Sequence, residues 1–213
     1  MSNNEILARN EDFLIEVFNV GMGNMAEALE QLLSARVNVK LPIIRLLLPT
    51  EVVSAIGSAT MPVASVNMQI LGDVKGELFY IVPNDKKGEL VMLAEGTIPG
   101  FIQNRDVSDS SILEEIANVS AGALLTAIHK FTKLDLIQTI PVLSVDTLQS
   151  VLAEPLASSI KDGTRVLLIV NEFSIGRGEQ AENVIRAYLL VVLSAELERK
   201  LTDLVNAAQG GFE

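Results

Sequence analysis

An internal repeat is the feature that most constrains this chain. Shifting the 213-residue sequence by 99 positions aligns residues 12–29 with residues 111–128. The identical pairs at this shift include Glu16 and Glu115, Asn19 and Asn118, Gly23 and Gly122, and Pro42 and Pro141. In each half, twenty-two residues separate the asparagine from the proline. No linker rich in Pro, Gly or Ser divides the halves. We therefore predict one pseudo-symmetric domain over residues 1–213, with repeats at about 11–97 and 109–207.

The hydrophobic pattern gives both halves the same plan. Each begins with a long helix, followed by a β-like segment, a short helix, a two-stranded hairpin and a closing helix. In the first half these are predicted at Glu11–Ala35, Val37–Leu48, Glu51–Ile56, Ala64–Leu71 with Glu77–Val82, and Gly88–Glu95. In the second half they are predicted at Asp109–Thr132, Pro141–Val145, Thr147–Leu152, Arg165–Phe173 with Val184–Leu193, and Ala195–Ala207. This order predicts an α+β fold, with helices on one face of a mainly antiparallel sheet.

Each long helix is predicted to bury one side and to expose a polar stripe on the other. The exposed stripes consist of Asp12, Glu16, Asn19, Gly23, Ala26 and Glu30 in the first helix, and Ser111, Glu115, Asn118, Gly122, Leu125 and His129 in the second. A single Glu and Asn on a helix surface usually form a solvated face, but their recurrence in both halves favours a function. Leu125 on this stripe is a candidate apolar contact for a partner.

A glycine follows each of these asparagines by one helical turn. Glycine inside a helix costs about 1 kcal/mol relative to alanine. Two explanations stay open for Gly23 and Gly122: a cleared shelf for another molecule, or close packing between helices. Ser111 and Glu114 match a capping box at the start of the second helix, which is a structural role.

Composition excludes several classes of chemistry. The formal net charge of −11 disfavours nucleic acid as a partner. The absence of Cys excludes disulfides and thiolate nucleophiles, and a single histidine, His129, cannot form a multi-histidine metal site within one chain. We therefore expect no cofactor and no bound metal. The sequence has no pattern of a targeting peptide and no apolar run long enough to span a bilayer, which favours a soluble cytoplasmic protein without membrane insertion.

Carboxamides can still catalyse without a nucleophile or a metal. The carbonyl oxygen of a fixed asparagine can orient a water molecule, while its NH2 group donates to a developing oxyanion. Phosphoryl transfer benefits most, because its loose transition state depends on alignment. A nearby glutamate can pair with a cation on the substrate.

These residues resemble the signature of the CheC class of chemotaxis phosphatases. The resemblance rests on Asp12-x-x-x-Glu16-x-x-Asn19 with Pro42, on Ser111-x-x-x-Glu115-x-x-Asn118 with Pro141, and on the segment NVGMGNMAEAL at residues 19–29. It implies dephosphorylation of the response regulator CheY. Asn19 and Asn118 would orient the hydrolytic water, and Glu16 and Glu115 would pair with the regulator's lysine. Magnesium would be carried by the regulator.

The resemblance also suggests other partners and roles. The receptor deamidase CheD binds proteins of this class, and residues 146–152 resemble the region that meets it. The sibling CheX has a single motif, whereas both motifs are complete here. Three alternatives remain: an adaptor that binds CheY or CheD with little or no catalysis, a fragment of the flagellar-switch phosphatase FliY, and a small-molecule enzyme using Gly21-x-Gly23-x-x-Ala26. We expect a monomer, because the repeat already supplies what a dimer would.

Overall fold

The structure is a computed structural model that describes residues 19–33, 36–40, 43–95, 109–176 and 184–194, together with 196, 199, 200 and 203. The helices are α1 (residues 19–33), α2 (Pro49–Ile56), α3 (Asn84–Glu95), α4 (Asp109–Thr132) and α5 (Leu148–Asp162). The strands are β1 (Arg36–Val39), β2 (Ile43–Leu47), β3 (Pro62–Gly72), β4 (Gly76–Pro83), β5 (Leu136–Gln138), β6 (Val142–Thr147), β7 (Val166–Gly176) and β8 (Val184–Leu193). The predicted α+β fold with a mainly antiparallel sheet is confirmed.

One sheet contains the eight described strands, and each pair in it is antiparallel. β4 and β8 pair at its centre, where Phe79 lies opposite Leu190 and Tyr80 opposite Leu189. β7 continues the sheet beyond β8 and pairs with both β1 and β2. β3 continues it beyond β4 and pairs with both β5 and β6. The outer strands from each half of the chain thus pair with the hairpin of the other half.

Helices cover both faces of this sheet. One core lies under α1, α3 and α4, and it includes Leu78, Tyr80 and Val82 of β4. A second core lies under α2 and α5 on the opposite face, and it includes Phe79 and Ile81 of the same strand. The prediction that helices cover one face was therefore incomplete. Because both faces of the central strands are buried, these strands consist of continuous apolar residues rather than alternating ones.

The edge strands differ from the predicted β-like segments. The single segment Val37–Leu48 is two strands, β1 and β2, and Lys40 between them donates its backbone N–H to Glu172 O at 2.9 Å. The segment Pro141–Val145 corresponds to β6, and a further strand, β5, precedes it. At three residues, β5 is too short to show a hydrophobic period.

The short helix predicted at Thr147–Leu152 extends to Asp162. Thr147 caps its start by accepting the Ser150 N–H, and Gly163 ends it in the left-handed region with φ of 66°. A proline inside a helix usually ends it, which explains the shorter prediction. Pro155 is instead buried inside α5, where it lies between Leu152 and Leu156 of the second core.

Close packing between α1 and α4 depends on Gly21. A methyl group at Gly21 would lie 3.1 Å from Ala127 Cβ and 3.6 Å from Leu124 Cα. α4 is long and apolar enough to cross a membrane, but 56% of its apolar window is buried inside the fold, as is typical of a core helix. The approach of α1 explains part of that burial.

Replacing Gly21 by alanine tests this packing. We expect Gly21→Ala to be less stable than Gly23→Ala by about 1–3 kcal/mol, since the helices must shift by a few tenths of an ångström to admit the methyl group. Gly23 on the same helix is the matched control, because a methyl group there would meet nothing within 4 Å. Gly23→Ala should raise stability by about 0.5–1 kcal/mol through helix propensity. Urea denaturation measures both; equal effects would contradict the assigned packing.

An ion-pair cluster joins β7, β8 and the segment after β1. Glu172 accepts hydrogen bonds from the Arg186 guanidinium and, at 3.0 Å, from Lys40 Nζ. The Arg186 and Lys40 hydrogen bonds lower the pKa of the Glu172 carboxyl below its usual value of 4.5. The cluster therefore favours the folded state only while Glu172 is ionised.

This cluster predicts a pH-dependent contribution to stability. The carboxylate contributes fully above about pH 4.5, its usual pKa, and the contribution is lost as the pH falls through the lowered folded-state value. Glu172→Gln should therefore be less stable than wild type at pH 7, and the difference should shrink towards pH 3. Urea denaturation across this range measures it. A difference independent of pH would contradict an electrostatic origin.

Candidate functional site on the long helices

Glu115 and Asn118 lie one turn apart on α4 and share a side that the core does not bury. Both side chains are half-buried, whereas the neighbouring Ile116 and Ala117 are fully buried. Asn19 is exposed at the first described position of α1. Its predicted companion, Glu16, lies outside the described residues. The structure thus places one Glu/Asn pair and one further asparagine on helix surfaces where another molecule can reach them.

Two edge strands attach to α4 beside this pair. Gln138 of β5 directs its Nε2 atom to Asn118, at 3.3 Å from the backbone oxygen and 3.3 Å from Oδ1. Leu143 of β6 donates its backbone N–H to Glu114 Oε1 at 3.3 Å. The side of α4 that carries Glu115 is therefore fixed to the sheet edge at two neighbouring points.

The two glycines after the asparagines have different surroundings. A methyl group at Gly122 would lie 3.2 Å from Gln138 Nε2, whereas one at Gly23 would meet nothing within 4 Å. Neither residue packs helix against helix; that role belongs to Gly21. Gly23 is open to another molecule, and Gly122 makes room for Gln138. The helical position of Gly21 and Gly23 also differs from the strand-to-helix turn of a dinucleotide site.

Leu125 was expected on the exposed stripe, and that expectation is wrong. Its side chain is 2% exposed and belongs to the core beneath α1 and α4. The reason is that α1, α3 and β5 all pack against α4, so the buried arc is wider than half a helical wheel. Leu125 is therefore not available to a partner.

The expected capping box is also absent from the start of α4. The helix already includes Asp109, so Ser111 lies inside its first turn rather than before it. The Glu114 carboxylate accepts the Leu143 N–H of β6. This bond joins the helix to the sheet edge.

His129 lies in the last turn of α4. Its Nδ1 atom is 3.0 Å from Leu134 O and 3.2 Å from Asp135 Oδ1. Asp135 in turn donates its backbone N–H to Asp73 Oδ2, in the turn between β3 and β4. These contacts give His129 a structural role at the end of the helix.

Gln138 is the site residue that the sequence did not reveal. It falls in β5, a strand that was not predicted, and the 99-residue shift aligns it with Val39, so the repeat does not mark it. The only feature of the sequence that could have indicated Gln138 is its polar side chain, twenty residues after Asn118. Among the described residues, no group of three or more His, Asp or Glu side chains is arranged to hold a metal ion.

Comparison with known proteins gives a relative in sequence and several in fold. The chain is 33% identical over 168 residues to "CheY-P phosphatase CheC" of Bacillus subtilis, covering 78% of this chain and 80% of the relative. Among solved structures, Thermotoga maritima FliY has a TM-score of 0.68 at 15% identity, with 97% of this chain and 98% of that chain covered. The FliM middle domain of H. pylori has a TM-score of 0.60 at 9% identity, covering 96% and 99%. No protein-family model matches the chain.

The chain therefore has the fold of FliY and of the FliM middle domain. The likeness to FliY and FliM establishes that fold and nothing finer. The sequence relationship is more specific, since it extends over most of both chains. The chain belongs to the CheC family of chemotaxis phosphatases, as its two Glu/Asn motifs predicted.

Proposed function

We propose that the protein dephosphorylates the aspartyl phosphate of the response regulator CheY. The observation that carries this proposal is that Glu115 and Asn118 lie one turn apart on the unburied side of α4, in a chain related to a CheY-P phosphatase. Asn118 and Asn19 act as the residues that orient water. Glu115 and Glu16 pair with the regulator's lysine.

The reaction is an in-line hydrolysis. A water oxygen forms a bond to phosphorus while the bond from phosphorus to the aspartyl oxygen breaks, which leaves a carboxylate and inorganic phosphate. The asparagine carbonyl oxygen holds the water by accepting a hydrogen bond from it. The asparagine NH2 group donates hydrogen bonds to the phosphoryl oxygens. No side chain of this protein needs to change its protonation state.

The position of Asn118 supports this role. Its Oδ1 atom accepts from Gln138, and an amide oxygen has two lone pairs, so one remains for a water molecule. Its backbone lies in the middle of a 24-residue helix that is packed against both a helix and the sheet. A group held in this way loses little freedom when the regulator docks.

The partner would supply what this chain lacks. Magnesium and the lysine belong to the regulator, so the protein itself needs no cofactor, and such a reaction takes place in the cytoplasm. The deamidase CheD is a further proposed partner at residues 146–152. There, Asp146 accepts from the Thr147 N–H at 2.6 Å and from the Ser150 hydroxyl at 2.9 Å, so its carboxylate is held beside the first turn of α5. We expect the protein to act as a monomer.

A second candidate is an adaptor with weak or no catalysis. It is favoured by apolar side chains exposed at the edge formed by β5, β6 and their connection. Ile137 is 63% exposed, Ile140 is 82% exposed and Val142 is 59% exposed. Exposed apolar patches commonly mark interaction surfaces. An adaptor would bind the regulator or the deamidase without accelerating loss of phosphate.

Substituting the two asparagines distinguishes the candidates. The decay of aspartyl-phosphorylated CheY is followed with wild type, Asn19→Ala, Asn118→Ala and the double variant. Removing a positioned amide should lower the turnover of its own site by about 100-fold or more, so each single variant loses that site's share. The double variant should return decay to the spontaneous rate.

The exposed Asn84 at the start of α3 provides the control, and Asn84→Ala should keep wild-type turnover. Full turnover in the double variant would exclude the catalytic proposal. If wild type binds the regulator without accelerating decay, the protein is an adaptor.

The mechanism also predicts that catalysis does not require His129. Because His129 bonds the end of α4 to Leu134 and Asp135, His129→Ala should lower the free energy of unfolding by about 0.5–1.5 kcal/mol. Phosphatase turnover per folded molecule should stay unchanged between pH 6 and 8. A titration in wild-type turnover that disappears in His129→Ala would show that the imidazole takes part.

A further inference from the structure

The side-chain NH2 group of Gln138 contacts two oxygen atoms of Asn118, the backbone oxygen and Oδ1. These two contacts determine the orientation of both carboxamides. The backbone oxygen of Asn118 can only accept a hydrogen bond, so the Gln138 atom 3.3 Å away must be the NH2 nitrogen. The side-chain atom of Asn118 at 3.3 Å from that nitrogen must then also be an acceptor, namely Oδ1. The Asn118 carboxamide is therefore held in one of its two flip orientations, with Nδ2 directed away from Gln138.

The surroundings of Gln138 maintain this contact. Its backbone is paired with Ile70 of β3, so the strand register fixes where the side chain leaves the sheet edge. Gly122, one turn after Asn118, leaves the space that the Gln138 amide occupies, since a methyl group there would lie 3.2 Å from Nε2. A larger residue at position 122 would therefore crowd the Gln138 amide.

Among the described residues, the first half of the chain shows no counterpart of this arrangement. The 99-residue shift aligns Gln138 with Val39, whose side chain has no hydrogen-bond donor. A methyl group at Gly23, which aligns with Gly122, would have no described atom within 4 Å. The position that aligns with Gln138 therefore offers Asn19 no equivalent donor, although the sequence motif around the two asparagines is the same.

We propose that Gln138 is a positioning residue that orients the Asn118 carboxamide and makes the two candidate sites unequal. It rests on the phosphatase function proposed above. With the flip orientation fixed, the second lone pair of Oδ1 and the NH2 group face outward together, as an in-line attack requires. Donation to Oδ1 also polarises the amide and strengthens its NH2 group as a donor.

The kinetic test is made in an Asn19→Ala background, where only the second site remains. Gln138→Leu keeps the side-chain size and removes the donor, and it should lower kcat about 3- to 10-fold with KM changed less than about 2-fold. Gln138→Glu places a carboxylate oxygen against two carbonyl oxygens and should lower kcat at least as much. Gln69→Leu is the control, since Gln69 is an exposed glutamine on the adjacent strand β3; it should leave kcat unchanged.

A spectroscopic readout separates this proposal from the phosphatase function. The side-chain NH2 signal of Asn118 is assigned by its loss in Asn118→Ala, and its ¹⁵N order parameter is then measured. We expect an ordered group in wild type and a clear drop in Gln138→Leu. An unchanged order parameter would overturn the positioning role, and so would a kcat that stays equal or rises in Gln138→Leu. If wild type has no phosphatase activity but the order parameter falls, the phosphatase proposal fails while the positioning of Asn118 by Gln138 stands.

Discussion

The antiparallel pairing of β4 with β8 is the interaction on which the remaining structure depends. It joins the hairpins of the two halves, and its side chains supply both cores, as Tyr80 and Leu189 do on one face and Phe79 and Leu190 on the other. The outer strand β2 of the first half pairs with β7 of the second half, and β6 of the second half pairs with β3 of the first. Both ends of the sheet therefore contain strands from both halves, and the β4–β8 pair joins them. The surfaces of α1 and α4 are thereby presented side by side on one face.

The described parts of the two halves differ in structure at the edges of the sheet. β5 and β6 attach to α4 through Gln138 and Glu114, so the helix that carries Asn118 is bonded to a sheet edge beside its candidate site. At the other long helix, no described atom lies within 4 Å of a methyl group placed at Gly23. A repeat that is nearly symmetric in its motif can therefore hold two asparagines differently, because the holding residues lie outside the motif.

Much of the fold could be predicted because helices and hairpins leave a hydrophobic pattern over a short stretch of sequence. The long helix Asp109–Thr132 has the predicted bounds, and both hairpins were found from their apolar strands and intervening turns. The failures share a cause in tertiary contacts. α5 continues through Pro155, which is buried, and Leu125 is buried because α1, α3, β3, β5 and β6 all contact α4. A helical wheel has one buried side and cannot represent that many neighbours.

The sequence by itself determined the family and the candidate residues Asn19, Glu115 and Asn118, since a motif repeated at a fixed spacing is readable without coordinates. It also predicted Glu16, and the roles of all four residues stay predictions. The tertiary structure decided which glycine packs helices together, which one is open, and which atom holds Asn118. These depend on distances between residues far apart in the chain, such as Gly21 and Ala127, where a few tenths of an ångström separate contact from overlap.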